Sequence, residues 1–186
     1  MPTPVPETYK PVKTGTVIAL NNFVNLPAKK PVLLHFFNPD CPCSRFNKAH
    51  FKSLVRHYSP QVDFVVVVQS SKRWSVADIQ RKLDLNLPVL FDKTLATACG
   101  VYSTPQAVLL DDQHRLYYRG NYNRSRYCTD EKTSYAKRAL NELLQRNSVP
   151  VFDRIALTAY GCSLPYCENE YSPGDNQHGL SAQHSR

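Results

Sequence analysis

Two apolar runs limit what this chain can fold into more than any other feature. Residues 30–38 read KPVLLHFFN and residues 62–69 read VDFVVVVQ. Near-continuous apolar runs of strand length belong to strands buried on both faces, as in parallel sheets. Between them, Phe51, Leu54, Val55 and Tyr58 recur at helical spacing within residues 44–59, with basic residues opposite, and Pro60 ends the pattern. Strand, helix and strand in that order predict a sheet whose two faces need covering.

The remaining chain supplies the cover. Residues 75–85 are predicted helical with Ser75 as N-cap, and residues 93–100 form a short helix closed by Gly100. Residues 16–20 and 87–92 read as short extended segments. Residues 101–122 read as two strands joined by a turn at Asp111 to His114. In residues 130–147, acids lead a helix with Ala139, Leu140, Leu143 and Leu144 as its apolar stripe. The expected class is α/β, with a mixed central β-sheet flanked by α-helices in one domain over residues 15–150. Residues 1–14 hold Pro2, Pro4, Pro6 and Pro11 and read as an extended, poorly ordered arm. Residues 151–170 form a cysteine-containing extension, and the polar residues 171–186 a disordered tail.

The net charge of +8 comes from scattered lysines and arginines. No dense basic run interleaved with aromatics occurs, so nucleic acid is not an expected partner. The apolar runs fall well short of the ~20 residues that span a bilayer. The first residues lack a basic start followed by an apolar core, so a membrane association would need an anchor upstream of the chain as given.

The six cysteines are grouped as Cys41 and Cys43, Cys99, Cys128, then Cys162 and Cys167. Cys41 falls where a buried strand gives way to a helix. A helix N-terminus offers unpaired N–H groups and about half a positive charge, which favour the reactive thiolate. Cys99 reads as a core residue. The Cys-x-Cys and Cys-x₄-Cys pairs admit a second chemistry: Cys41, Cys43, Cys162 and Cys167 together could supply four thiolates to zinc. Cys41, Cys43 and a histidine could hold Cu(I). His50 is a helix residue that could equally be a surface histidine.

The segment LLHFFNPDCPCS resembles the strand-to-active-site junction of the thioredoxin-like superfamily, in its redoxin branch. Residues 87–120, with GV…TP, a hairpin and YRG, resemble the later half of that fold. RYCTD and TAYGCSLPYC resemble the C-terminal extension of redoxins in which a Cys-Pro-x-Ser motif replaces Cys-x-x-Cys. The resemblance covers most of residues 30–167. It implies a thioredoxin-like fold, a cis peptide at Thr104–Pro105 packed against the active-site cysteine, and thiol–disulfide exchange with protein or small-molecule thiols and disulfides. It implies no organic cofactor, because electrons come from another dithiol. Pro105 would shape the substrate groove, and the backbone of Thr104 could pair with an extended substrate segment. Similar redoxins often work outside the cytoplasm behind an N-terminal anchor.

Against that family the register departs in one place. Three residues after Cys41, where the usual partner cysteine stands, is Ser44. Cys43 is the expected intramolecular resolver, through a small ring of the easily reduced kind. Alternatively Cys41 acts alone and a distant thiol, Cys162, Cys167 or Cys128, releases it. His35, six residues before Cys41, occupies the strand position of the family's buried acid and could manage protons near neutral pH. The peroxide-binding threonine of peroxiredoxins would fall at Asn38 or Asp40, so that activity is disfavoured. Two alternatives remain: a copper or zinc binding protein of this fold, and a non-catalytic adaptor.

Overall fold

The computed structural model describes residues 1–125 and 131–165. Its elements run β1 (Val32–Phe37), α1 (Pro42–Tyr58), β2 (Asp63–Val68), α2 (Val76–Leu83), β3 (Val89–Leu90) and α3 (Lys93–Cys99). They continue with β4 (Ser103–Thr104), β5 (Gln106–Leu110), β6 (Leu116–Gly120), α4 (Tyr135–Leu144), α5 (Arg154–Leu157) and β7 (Cys162–Ser163). The five-stranded sheet has the order β3-β2-β1-β5-β6. β1, β2 and β3 run parallel, whereas β5 is antiparallel to both β1 and β6. This is the mixed sheet that alternating elements followed by a hairpin imply.

β1 occupies the centre, and all six of its residues are buried. Period-2 alternation divides the core into two layers. Leu33 and Phe37 join Phe51, Leu54 and Val55 of α1, Ile79 of α2, and Ala136, Ala139 and Leu140 of α4. On the opposite face Val32, Leu34 and Phe36 join Val65, Val67, and Leu95, Ala96 and Cys99 of α3. Leu164 from the C-terminal extension completes that second layer.

Four local expectations are corrected. Residues 16–20 form no strand: Val17 makes an isolated bridge to Arg115, and a 3-10 turn follows at Leu20–Asn22. α1 begins at Pro42, ahead of the expected span 44–59, so Cys43 is helical; proline's fixed φ suits the first helical position. α4 begins only at Tyr135, and the acids expected at its start precede it, with Glu131 in a separate 3-10 turn. The N-terminal arm is extended but attached. Thr3 N donates to Ala159 O at 2.7 Å, Tyr9 Oη to Gly100 O at 3.2 Å, and an Arg119 Nη atom to Val12 O at 2.8 Å. The expected disordered tail, 171–186, lies outside the described residues. Among the described residues, no helix is long and apolar enough to cross a membrane.

Candidate active site

Cys41 is the N-cap of α1, with extended backbone (φ −88°, ψ 126°), and Pro42 follows as the first helical residue. Its carbonyl accepts from Ser44 N at 3.1 Å, and its own N–H donates to Asn38 O at 3.1 Å. No acid lies in the first turn of α1. The positive end of a 17-residue helix therefore faces this sulfur without a competing carboxylate on that turn. Ser44, in the place of the usual second cysteine, is buried, and its Oγ accepts from Asn38 N at 3.4 Å. It closes the loop before the helix rather than presenting a nucleophile.

Asp40, the residue before Cys41, is held by other partners. Ser70 Oγ donates to it at 2.8 Å and Lys72 Nζ at 3.1 Å. Burial raises its pKa, but these hydrogen bonds and the lysine charge outweigh burial and leave the carboxyl below its ordinary value.

The structure joins Cys41 to Cys162 in a disulfide with Cα atoms 6.5 Å apart. Cys43 is a free, half-buried thiol. The sulfurs of Cys41, Cys43 and Cys162 all lie within 4.8 Å of one another. The expected first partner of Cys41, Cys43, is thus present but unbonded, and the partner is one of the distant cysteines. A bond between residues 41 and 43 would have to close across the first turn of a helix, whereas Cys162 arrives on a strand of its own. Cys128 and Cys167 lie outside the described residues.

That strand is β7. It pairs antiparallel with β4, with Ser103 opposite Ser163 and Thr104 opposite Cys162. The Thr104–Pro105 peptide bond is cis. Ser103 and Thr104 are fully buried, and Thr104 Oγ1 has no hydrogen-bond partner among the described residues. Gly161 makes the approach of the strands possible: a Cβ there would lie 1.9 Å from Thr104 O. Upstream, Asn121 anchors the extension. Its Nδ2 donates to Ile155 O and Thr158 O, both at 2.7 Å, and its Oδ1 accepts from Gln106 Nε2 at 2.8 Å.

His35 lies fully buried on β1, stacked on Phe51 with ring centroids 3.9 Å apart. Its Nδ1 is 2.7 Å from Tyr122 Oη. Burial lowers its pKa from 6.5 to about 3. The expectation of proton transfer near neutral pH is corrected accordingly: desolvation keeps this imidazole neutral there. His50 is not a surface histidine. It is largely buried, its Nε2 lies 3.1 Å from Ser134 Oγ, and burial lowers its pKa. Cys99 is fully buried, and burial pushes its thiol up to about 12, so it is inert.

Four participants were missed in the sequence. Tyr122, within the second predicted strand of residues 101–122, is the hydrogen-bond partner of His35. Thr3 lies in an arm with no apparent target. Asn121 and Gly161 carry only weak signals, a polar residue ending a strand and a glycine beside a cysteine.

A mixed five-stranded sheet, a cysteine capping the helix after the central strand and a cis-proline segment define a protein of thioredoxin-like fold. Solved structures agree at the level of fold. A hypothetical protein from Sinorhizobium meliloti is 18% identical with a TM-score of 0.66, covering 89% of this chain and 98% of that one. An uncharacterized conserved protein from Geobacillus kaustophilus is 22% identical with a TM-score of 0.63, covering 92% and 94%. A thioredoxin-like protein solved in its oxidised form is 17% identical with a TM-score of 0.53, covering 79% and 98%. No curated protein matches the chain. Residues 14–169 match the family described as Domain of unknown function (DUF6436), and the chain belongs to that family.

Proposed function

We propose that the protein is a thiol–disulfide oxidoreductase of redoxin type in which Cys41 is the attacking thiolate and Cys162 its resolving thiol. The observation that carries this reading is the Cys41–Cys162 disulfide, formed at the N-terminus of α1 beside the cis-Pro105 segment. In the reductive direction, the Cys41 thiolate attacks a partner disulfide. One partner sulfur leaves as a thiolate and takes a proton from solvent. The Cys162 thiolate then attacks Cys41 Sγ, and the second partner sulfur leaves. The partner gains two electrons and two protons, and Cys41 and Cys162 are left oxidised. An external dithiol restores them, and the same steps reversed would oxidise a partner. Thr104 and Pro105 would line the groove. His35 would support the site as a neutral hydrogen-bonded ring, not as a base titrating near pH 7. Peroxidase chemistry has no support in the residues before either cysteine.

The test is dithiothreitol-driven reduction of insulin disulfides. Cys41→Ser is expected to fall to the uncatalysed rate. Cys43→Ser is expected to retain formation of the Cys41–Cys162 bond. Wild-type rates in Cys41→Ser would refute the proposal, and a Cys43→Ser variant unable to oxidise Cys41 would reassign the resolver.

A second reading rests on the three sulfurs within 4.8 Å. When reduced, Cys41, Cys43 and Cys162 could hold a soft cation such as Cu(I) in a three-thiolate set. Metal analysis of protein purified under reducing conditions decides it. One equivalent of copper, lost in Cys43→Ser, would favour this reading over exchange.

A further inference from the structure

The resolving cysteine arrives on a segment built into the site by four independent contacts. β7 completes a two-stranded ladder with the residues that precede cis-Pro105, Thr104 lying opposite Cys162. Gly161 lies so close to the Thr104 carbonyl that only a hydrogen fits in place of a side chain. Leu164 is buried in the core layer behind α3. Thr3 clasps the two strands together: its Oγ1 lies 2.9 Å from Ser103 Oγ and donates to Gly161 O at 2.9 Å, while its backbone N–H donates to Ala159 O.

A disulfide alone would need only the two sulfurs. The strand pairing, the bare glycine and the threonine clasp are what an extended peptide needs to dock on an edge beside a reactive thiol. We propose that residues 161–163 are an internal occupant of the protein-docking edge at Ser103–Thr104, closing it to partners until the strand leaves. The partner it excludes is an extended segment, and one with glycine immediately before its cysteine fits closest, because a larger residue must shift away from the Thr104 carbonyl. This deepens the exchange reading and rests on it. It makes the oxidised protein a closed resting form, and it makes resolution and partner release one event: β7 returning to the edge displaces the partner's backbone as Cys162 displaces its sulfur.

The test uses a fluorescent peptide copying residues 158–165 with serine in place of the cysteine, so that binding needs no thiol chemistry. It is titrated into the full-length protein by anisotropy. Oxidised wild-type protein is expected not to bind it. Gly161→Val, whose own strand no longer fits, is expected to bind at least about tenfold more tightly than the reduced wild type, because a competing internal occupant lowers apparent affinity by the fraction of open edge. Leu164→Ala, which removes the internal strand's core anchor while the peptide keeps its own leucine, is expected to fall between them. A peptide with valine in the glycine position is expected to bind every form more weakly than the glycine peptide does. Equal binding to oxidised wild type and both variants, or binding to none, would overturn the inference. Circular dichroism confirms that each variant is folded, and Leu164→Ala carries the test alone if Gly161→Val is not. Because the probe lacks a cysteine, peptide binding without insulin reduction would overturn the exchange reading and leave the docking edge standing.

Discussion

His35 occupies the centre of the sheet beneath the strand–helix junction, and its chemistry is set by where it sits. Burial lowers its pKa from 6.5 to about 3, so the folded protein keeps it neutral where the unfolded chain would bind a proton. Its contribution to stability is whole above about pH 6.5 and drains as pH falls toward 3, at up to about 1.4 kcal/mol per pH unit. His35→Gln retains a partner for Tyr122 but cannot titrate there. It is expected to flatten the acid limb of stability against pH, measured by urea unfolding between pH 7 and 4; an unchanged slope would refute the assignment. Cys41 was legible in the sequence because an apolar run ending in Pro39 fixes a strand end, and a helical apolar stripe follows within residues 44–59. Its partner was legible only as one of three distant alternatives to Cys43. The bond to Cys162 depends on a tertiary return of the chain that no local pattern encodes, and Tyr122 and Thr3 act only through such contacts.

At the scale of elements, strands β1 and β2 and helices α1, α2 and α3 could be read because burial periodicity and caps are local. Ser75 shows this: its Oγ accepts from Asp78 N at 3.0 Å, and Asp78 returns a carboxylate oxygen to Ser75 N at 3.2 Å. Ser75→Ala is expected to cost about 1 kcal/mol in urea unfolding while leaving thiol reactivity unchanged. The short pieces were less legible. Residues 16–20 have strand composition but find only one bridging partner, and β4 and β7 are two residues long and exist only by pairing with each other. The extension that carries β7 is held to β6 by Asn121, which is buried with three side-chain hydrogen bonds. Asn121→Ala would leave buried groups unpaired, at about 1–3 kcal/mol. Because that loss falls on the segment presenting Cys162, the Cys41–Cys162 disulfide is expected to become easier to reduce, by about 30 mV for each 1.4 kcal/mol of lost placement. A glutathione redox titration followed by mass spectrometry reads this; an unchanged potential would show that the anchor does not position the thiol.

At the scale of the molecule, the two ends of the described chain meet at the candidate site. The arm delivers Thr3, the extension delivers Gly161 and Cys162, and the sheet supplies the platform between them. The disulfide spans 121 residues. Closing so long a loop restricts the unfolded chain, and the chain-entropy account gives about 4–5 kcal/mol of stabilisation. Dithiothreitol is therefore expected to lower the melting temperature of the wild type and to leave Cys162→Ser unchanged; equal shifts in both would place the stabilising bond elsewhere. The central claim concerns chemistry, and trapping tests it most directly. Reduced Cys162→Ser protein is mixed with insulin, quenched in acid within seconds and analysed by non-reducing peptide mass spectrometry. The account predicts an accumulating mixed disulfide on Cys41, far less of it in the wild type and none in Cys41→Ser. Absence of any adduct on Cys41, with insulin reduction unaffected by loss of either cysteine, would contradict it.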